Sequence, residues 1–255
     1  MNFIDTHTHL YLEEFKNDIP QMVERALESG VNTFLLPNID IHSISDLKDL
    51  QQKFSKNMFG MMGLHPTSVG EDFENQLYTI KNELDTGNYI AIGEIGIDLY
   101  WDKTFFEQQK QAFRIQLAWA IEKNLPVAIH SRDSFDEIME VLNEFENKNL
   151  RAVFHCFSGN AEQAKIITDK GFYLGIGGVV TFKNSGLADA IKDISLNKIL
   201  LETDSPFLAP VPFRGKRNES AYCKLIAEKL AEIYAVSVSV IAEITTTNAK
   251  QLFNI

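Results

Sequence analysis

Cysteine is scarce in this chain of 255 residues, which has only Cys156 and Cys223. Two thiols are too few for a disulfide scaffold and fit a reducing compartment. Positive charge is short as well: 24 Lys and Arg stand against 35 Asp and Glu, for a formal net charge of -11. No global positive field therefore exists to hold duplex nucleic acid nonspecifically. A nucleic-acid substrate would have to be gripped locally, at an end or along a single strand. No apolar run approaches the ~20 residues of a membrane span. No basic segment followed by an apolar one opens the chain, so a signal peptide is not expected. Pro/Gly/Ser-rich linkers, low-complexity tracts and visible repeats are also missing. The expectation is a cytoplasmic protein with no membrane association and no obligate protein partner evident.

Apolar residues, by contrast, make up 45% of the chain, enough to bury a large core. Short apolar runs alternate with longer amphipathic ones. Strands are expected at Phe3–His7, Asn32–Leu36, Met58–Gly63, Tyr89–Gly93, Pro126–His130, Ala152–His155, Phe172–Ile176 and Lys198–Glu202. In "FFEQQKQAFRIQLAWAIEKN", Phe106, Phe113, Leu117, Ala120 and Ile121 fall near one helical stripe. Further helices are expected at roughly Asn218–Tyr234 and Val238–Leu252. Eight strands alternating with helices predict an α/β fold, a (β/α)8 TIM barrel as one domain over residues 1–255; an open doubly wound sheet is the alternative.

The ionisable residues sharpen this reading. "FIDTHTHL" puts Asp5, His7 and His9 at alternate positions, so an extended strand would point all three the same way. Five of the six histidines fall at or just past a strand end: His7, His9, His65 in "MMGLHP", His130 in "VAIHSR" and His155 in "AVFHC". Glu94 in "AIGEIGID" and Asp204 in "LLETDSP" occupy equivalent places. In a barrel those ends share one rim, where active sites are built. His42 opens a helical stretch and is expected at the surface. Imidazole plus carboxylate suits zinc, manganese or iron, and carboxylate-rich sharing accommodates magnesium. Four histidines with two carboxylates exceed one tetrahedral ion, whereas two ions bridged by a carboxylate would use them all.

"DTHTHL", "GLHP", "GEIGID", "HSR", "HCFSG", "ETDSP" and "RGKRNE" run in that order from residue 5 to residue 219. Together they resemble the TatD-like deoxyribonucleases of the metal-dependent hydrolase superfamily. The resemblance implies a TIM barrel with two divalent cations (Mg2+, Mn2+ or Zn2+) at the C-terminal rim. It assigns His7 and His9 to one metal, His130 and His155 to the other, and Glu94 to the bridge. Asp204 would complete the first site and orient or deprotonate the attacking water, so Asp204 and Glu94 are the expected catalytic residues. The chain departs from the family pattern at Thr67, Ser220 and Phe213, none of them an expected ligand; the departures bear on substrate preference.

For substrate binding, His65 and Arg132 lie near enough along the rim to meet the non-bridging oxygens of a phosphodiester, with a rim salt bridge as the alternative for Arg132. Arg214, Lys216 and Arg217 form one compact basic cluster in "FRGKRNE", read either as a phosphate clamp or as a solvated loop before a helix capped near Asn218. Tyr100 and Trp101 either stack on a base or pack against the next helix. The glycines of Gly175–Gly178 either let backbone amides approach a phosphate or serve a tight turn. Cys156 is expected to face away from the barrel interior, and Asp5 to support His7 and His9 from one layer below. The leading expectation is a two-metal deoxyribonuclease acting on ends or single strands of DNA. The alternatives are an ester or amide hydrolase, for example an aminoacyl-tRNA deacylase, and a metal-loaded binding barrel without turnover. A lysine for a carbamylated metal bridge is missing after strand five.

Overall fold

The computed structural model describes residues 1–255. Its eight strands are β1 (Phe3–Asp5), β2 (Val31–Pro37), β3 (Met58–Met62), β4 (Ala91–Asp98), β5 (Val127–Arg132), β6 (Ala152–Phe154), β7 (Tyr173–Ile176) and β8 (Ile199–Leu201). All run parallel in one sheet in the order β1 to β8. β1 then meets β8 through the Thr6 amide and hydroxyl, both donated to the Leu201 carbonyl, and through a parallel bridge between Thr8 and Ser205. The fold is thus the expected TIM barrel, nearly closed.

Helices cover the outside: α1 (Ile19–Glu28), α2 (Ile44–Lys53), α3 (Phe73–Thr86), α4 (Phe106–Lys123), α5 (Phe135–Asn143), α6 (Ala161–Asp169), α7 (Leu187–Ile191), α8 (Cys223–Tyr234) and α9 (Val238–Phe253). α4 is the amphipathic stretch picked out above, and it buries Phe113, Leu117 and Ala120.

Strand alternation splits the apolar residues into two layers. Ile4, Leu35, Met61, Ala91, Ala128, Val153, Tyr173 and Leu200, one from each strand, fill the barrel interior with Ala249, Leu252 and Phe253 of α9. Their neighbours along the strands, such as Phe3 and Leu36, pack outward against the helices in a second cluster of 56 residues. α9 closes the N-terminal end, where Thr246 bonds the Asn2 carbonyl and Asn248 bonds those of Leu196 and Ile199. The opposite end of the barrel is left open for chemistry.

Three local expectations are corrected. β1 ends at Asp5, and Asp5 lies on the outward face with Phe3, not below His7 and His9. It accepts from the Thr203 amide at 2.9 Å and hydroxyl at 2.6 Å, tying β1 to the segment after β8. β4 starts later and runs on to Asp98, pairing with Arg132 of β5; the glycines of "GEIGID" suggest a loop but are held in the ladder. α8 begins at Cys223 rather than near Asn218, because the Asn218 amide is engaged by the carbonyls of Thr203 and Phe207.

Candidate metal centre

The open end of the barrel gathers His7, His9, His65, Glu94, His130, His155 and Asp204 around one carboxylate. Glu94 lies inside β4, where strict alternation from the inward-facing Ala91 would send it outward. The register slips between Ile92 and Ile95, and such an irregularity re-aims a side chain. Glu94 therefore points into the barrel, with its two oxygens facing different imidazoles. Oε1 lies 2.8 Å from His130 Nδ1, 2.8 Å from His155 Nε2 and 3.3 Å from His65 Nε2. Oε2 lies 3.1 Å from His7 Nε2 and 3.6 Å from His9 Nε2. Asp204 Oδ1 is 3.5 Å from His9 and 3.9 Å from His7.

The rest of the chain decides how these rings are presented. Tyr11 donates to the Pro37 carbonyl at 2.5 Å, so its oxygen receives a proton from His9 Nδ1 at 2.9 Å. His9 Nε2 is thereby left with its lone pair toward the centre. His130 Nε2 meets Asp98 Oδ2 at 2.9 Å, leaving Nδ1 for the centre. His155 Nδ1 lies 3.5 Å from Glu202 Oε1, and its Nε2 faces inward. His65 is set the other way. Its Nδ1 accepts from the Thr67 amide at 3.2 Å, so Nε2 carries the proton and donates toward the centre.

Asp204 and Cys156 adopt left-handed φ values of 57° and 46°, a conformation non-glycine residues accept at a cost that concentrates at functional sites. For Cys156 this corrects the expected outward orientation. β6 stops at Phe154, the chain turns, and Cys156 lines the cavity, with its amide donated to Glu202 Oε1. Burial, with the Asp204, Glu202 and Glu94 carboxylates nearby, pushes its thiol well above the ordinary range; the thiol stays protonated and unreactive.

Charge is coupled across the cluster. Burial alone would raise Glu94, but the imidazoles of His155, His65 and His7 hold it well below the usual carboxylate range. Burial and the neighbouring His155 lower His7. His155 goes up well above its ordinary value despite burial, because Glu94 and Glu202 face it. The two rings stack at 3.7 Å, so adding a second positive charge to that pair is unfavourable.

A divalent cation suits this donor set. Nε2 of His7, His9 and His155, Nδ1 of His130 and the carboxylate oxygens of Glu94 and Asp204 converge there, all of them N and O donors. Three groups bring their ligand atoms within 4.8 Å of one another: His7–His155–Asp204, His7–His9–Glu94 and His65–Glu94–His130. The His155 ring thus stands closer to His7, at 3.7 Å between centroids, than to His130, at 5.7 Å, while its Nε2 shares Glu94 Oε1 with His130. In the third group the proton on His65 Nε2 argues against that ring as a ligand.

The centre opens into a cavity of about 690 Å³, lined among others by Ile39, His65, Trp101, Arg132, Val179, Phe207 and Leu208. Of the expected substrate-binding residues, His65 and Arg132 are there. Arg214, Lys216 and Arg217 are not among its lining residues. Arg217 is held by Asp18 at 2.7 Å and Glu219 at 2.8 Å, above the ring of Phe15, and Arg214 lies over Phe182. The basic cluster therefore serves the β8–α8 loop more than the cavity. His42, as expected, is exposed. Asp98, Glu202, Tyr11 and Thr67 are the residues whose parts sequence reasoning missed. Asp98 and Glu202 sit inside the quoted "GEIGID" and "ETDSP" motifs, and Tyr11 and Thr67 each follow a histidine by two residues.

A family model for TatD related DNase matches residues 4–254. The metal-dependent hydrolase YabD of Bacillus subtilis is 39% identical over 252 residues, covering 98% of both chains. The metal-dependent hydrolase YcfH of Escherichia coli is 31% identical over 259 residues, covering 100% of this chain and 97% of that one. The crystal structure of YjjV, a TatD homolog from Escherichia coli, superimposes with a TM-score of 0.93 at 29% identity, covering 99% of this chain and 98% of that one.

Proposed function

This chain belongs to the TatD-related DNase family of metal-dependent hydrolases, and from that premise we propose that it cleaves phosphodiester bonds of DNA, at ends or in single strands, with two divalent cations. The observation that carries the reading is the division of Glu94: one oxygen faces His130 and His155, the other His7 and His9. A carboxylate shared in this way suits a bridge between two ions. His7, His9 and Asp204 would hold one, His130 and His155 the other. When bound, two cations offset phosphate charge and lower the pKa of water.

The remaining roles fall to the chain's own atoms. Asp204, lowered from the ordinary carboxylate value despite burial because His9, His155 and His7 surround it, is ionised and takes a proton from the attacking water at its carboxylate oxygen. His65 Nε2–H donates to a non-bridging phosphate oxygen, with its tautomer fixed by the Thr67 amide. Arg132 balances charge at the mouth, and Ile39, Val179 and Leu208 keep bulk water from the cavity walls. The acidic surface disfavours long duplex contacts and leaves the work to local grip. No helix is long and apolar enough to cross a membrane, and the free thiols of Cys156 and Cys223 support a cytoplasmic place of action.

The test is turnover of labelled single-stranded DNA by protein stripped and reloaded with magnesium, manganese or zinc, beside Asp204→Asn and Glu94→Gln. The expected result is metal-dependent shortening that both substitutions abolish. Full metal occupancy with no cleavage under any ion would overturn the DNase reading and direct attention to carboxylic ester and amide substrates.

A further inference from the structure

Nine large hydrophobic side chains are exposed, and five of them come from two loops: Tyr100 and Trp101 after β4, and Phe207, Leu208 and Val211 after β8. In an eight-stranded barrel, strands four apart lie across the axis from each other. The two loops therefore approach the cavity from opposite sides. Trp101, 69% exposed, and Phe207, 47% exposed, both line it together with the histidines and carboxylates of the centre. Exposed aromatic rings at one cavity mouth, when the core is otherwise well buried, mark a binding surface.

The chemistry of this mouth is specific. Arg132 makes no ion pair, although the chain has a net charge of -11. Its guanidinium instead lies 3.8 Å from the Tyr100 ring centroid and 5.2 Å from that of Trp101. The cation is held by faces of rings and keeps its N–H donors for an anion. The loop itself is pinned, since Asp98 Oδ1 accepts from the Tyr100 and Trp101 amides at 3.0 and 3.1 Å. A flat π surface, an opposing ring and an unpaired arginine beside a hydrolytic centre match one unit of a nucleic acid: a base to stack and its phosphate to neutralise.

We propose that Trp101 and Phe207 form a base clamp over the metal centre, with Arg132 on the adjoining phosphate, which accepts one unstacked nucleobase at the end of a single strand. This rests on the phosphodiesterase reading and deepens it. Stacking needs no hydrogen-bond readout, so the clamp takes any of the four bases and excludes a base still paired inside a duplex.

Two measurements test it. In the first, wild type, Trp101→Ala and Trp101→Phe act on a labelled single strand with intact terminal nucleotides and on one with abasic terminal sites. Removing the bases should lower wild-type kcat/KM roughly tenfold or more, the stacking contribution of one base. Trp101→Ala should show a similar loss on intact DNA and little further loss on abasic DNA, and Trp101→Phe should recover most of it. Phe207 is less suitable for substitution because its ring packs 6.2 Å from that of His9. Equal rates on both DNAs, or equal losses by Trp101→Ala on both, would overturn the clamp while leaving the nuclease in place.

The second measurement needs no turnover. The chain has two tryptophans, and Trp119 is buried, so the exposed indole is Trp101. Metal-loaded Asp204→Asn titrated with the intact strand should lose tryptophan fluorescence, and the abasic strand should leave it unchanged. Quenching by intact DNA without cleavage in wild type would retain the clamp and remove the phosphodiesterase reading. Cleavage in wild type without base-dependent quenching would do the reverse.

Discussion

Asp98 Oδ2 lies 2.9 Å from Nε2 of His130, and the other oxygen of the same carboxylate holds the backbone of Tyr100 and Trp101. One residue thus sets both the imidazole that faces Glu94 and the loop that carries the exposed aromatics. His130 is raised, against the effect of burial, by Asp98 and Glu94. Asp98→Asn keeps the shape but weakens the hold on the ring. Metal affinity should fall about 10- to 100-fold, the usual cost of losing a partner behind a metal-binding histidine. Titration with Mn2+ followed by calorimetry checks it; unchanged affinity would assign Asp98 to the loop alone.

Glu202 stands behind His155 in the same way, and Gly175 makes room for it. A Cβ at Gly175 would collide with the Glu202 carboxylate. Gly175→Ala should therefore push Glu202 toward His155 and lower metal affinity, as should Glu202→Gln, each by about tenfold or more. Circular dichroism should show the fold retained in Glu202→Gln, and a Mn2+ affinity equal to wild type would remove Glu202 from the site.

Arg132, at the end of β5, and the basic residues after β8 separate by function. Arg132→Ala should lower kcat/KM on DNA about tenfold, as expected for loss of one charge-assisted contact. Arg214→Ala and Lys216→Ala should change it less than about twofold, since neither side chain lines the cavity. Equal losses at all three positions would restore the phosphate-clamp reading of "FRGKRNE".

Arg217 instead contributes to stability in a pH-dependent way. Its hydrogen bonds are the largest cause of the fall of Asp18 to about 2. A carboxylate depressed on folding stabilises above its unfolded value near 3.8 and loses that contribution as the pH falls through about 2. Arg217→Ala should cost up to about 1 kcal/mol at neutral pH, and the gap to wild type should close between pH 4 and 2. Urea midpoints across that range measure it. A gap that stays constant down to pH 2 would contradict the assignment.

The barrel was legible in the sequence because each strand carries its own apolar run, and because burial from both sides makes such runs continuous. The rim was legible because histidines and acids repeat just where those runs stop. Other features depend on contacts distant in sequence. The register slip that turns Glu94 inward comes from pairing with β5. The outward face of Asp5 is set by Thr203, 198 residues away. Cys156 reaches the cavity through a left-handed φ that no local residue preference announces. Arg217 reads as a phosphate ligand until Asp18 and Glu219, supplied by other segments, are placed beside it.

The central claim is that Glu94 joins two divalent cations in one centre. The direct measurement is the number of Mn2+ ions bound per chain, by calorimetry with elemental analysis, in wild type and Glu94→Gln. Two ions per wild-type chain, with at least one lost or strongly weakened in Glu94→Gln, is the predicted result. One ion per wild-type chain, bound equally well by Glu94→Gln, would contradict it.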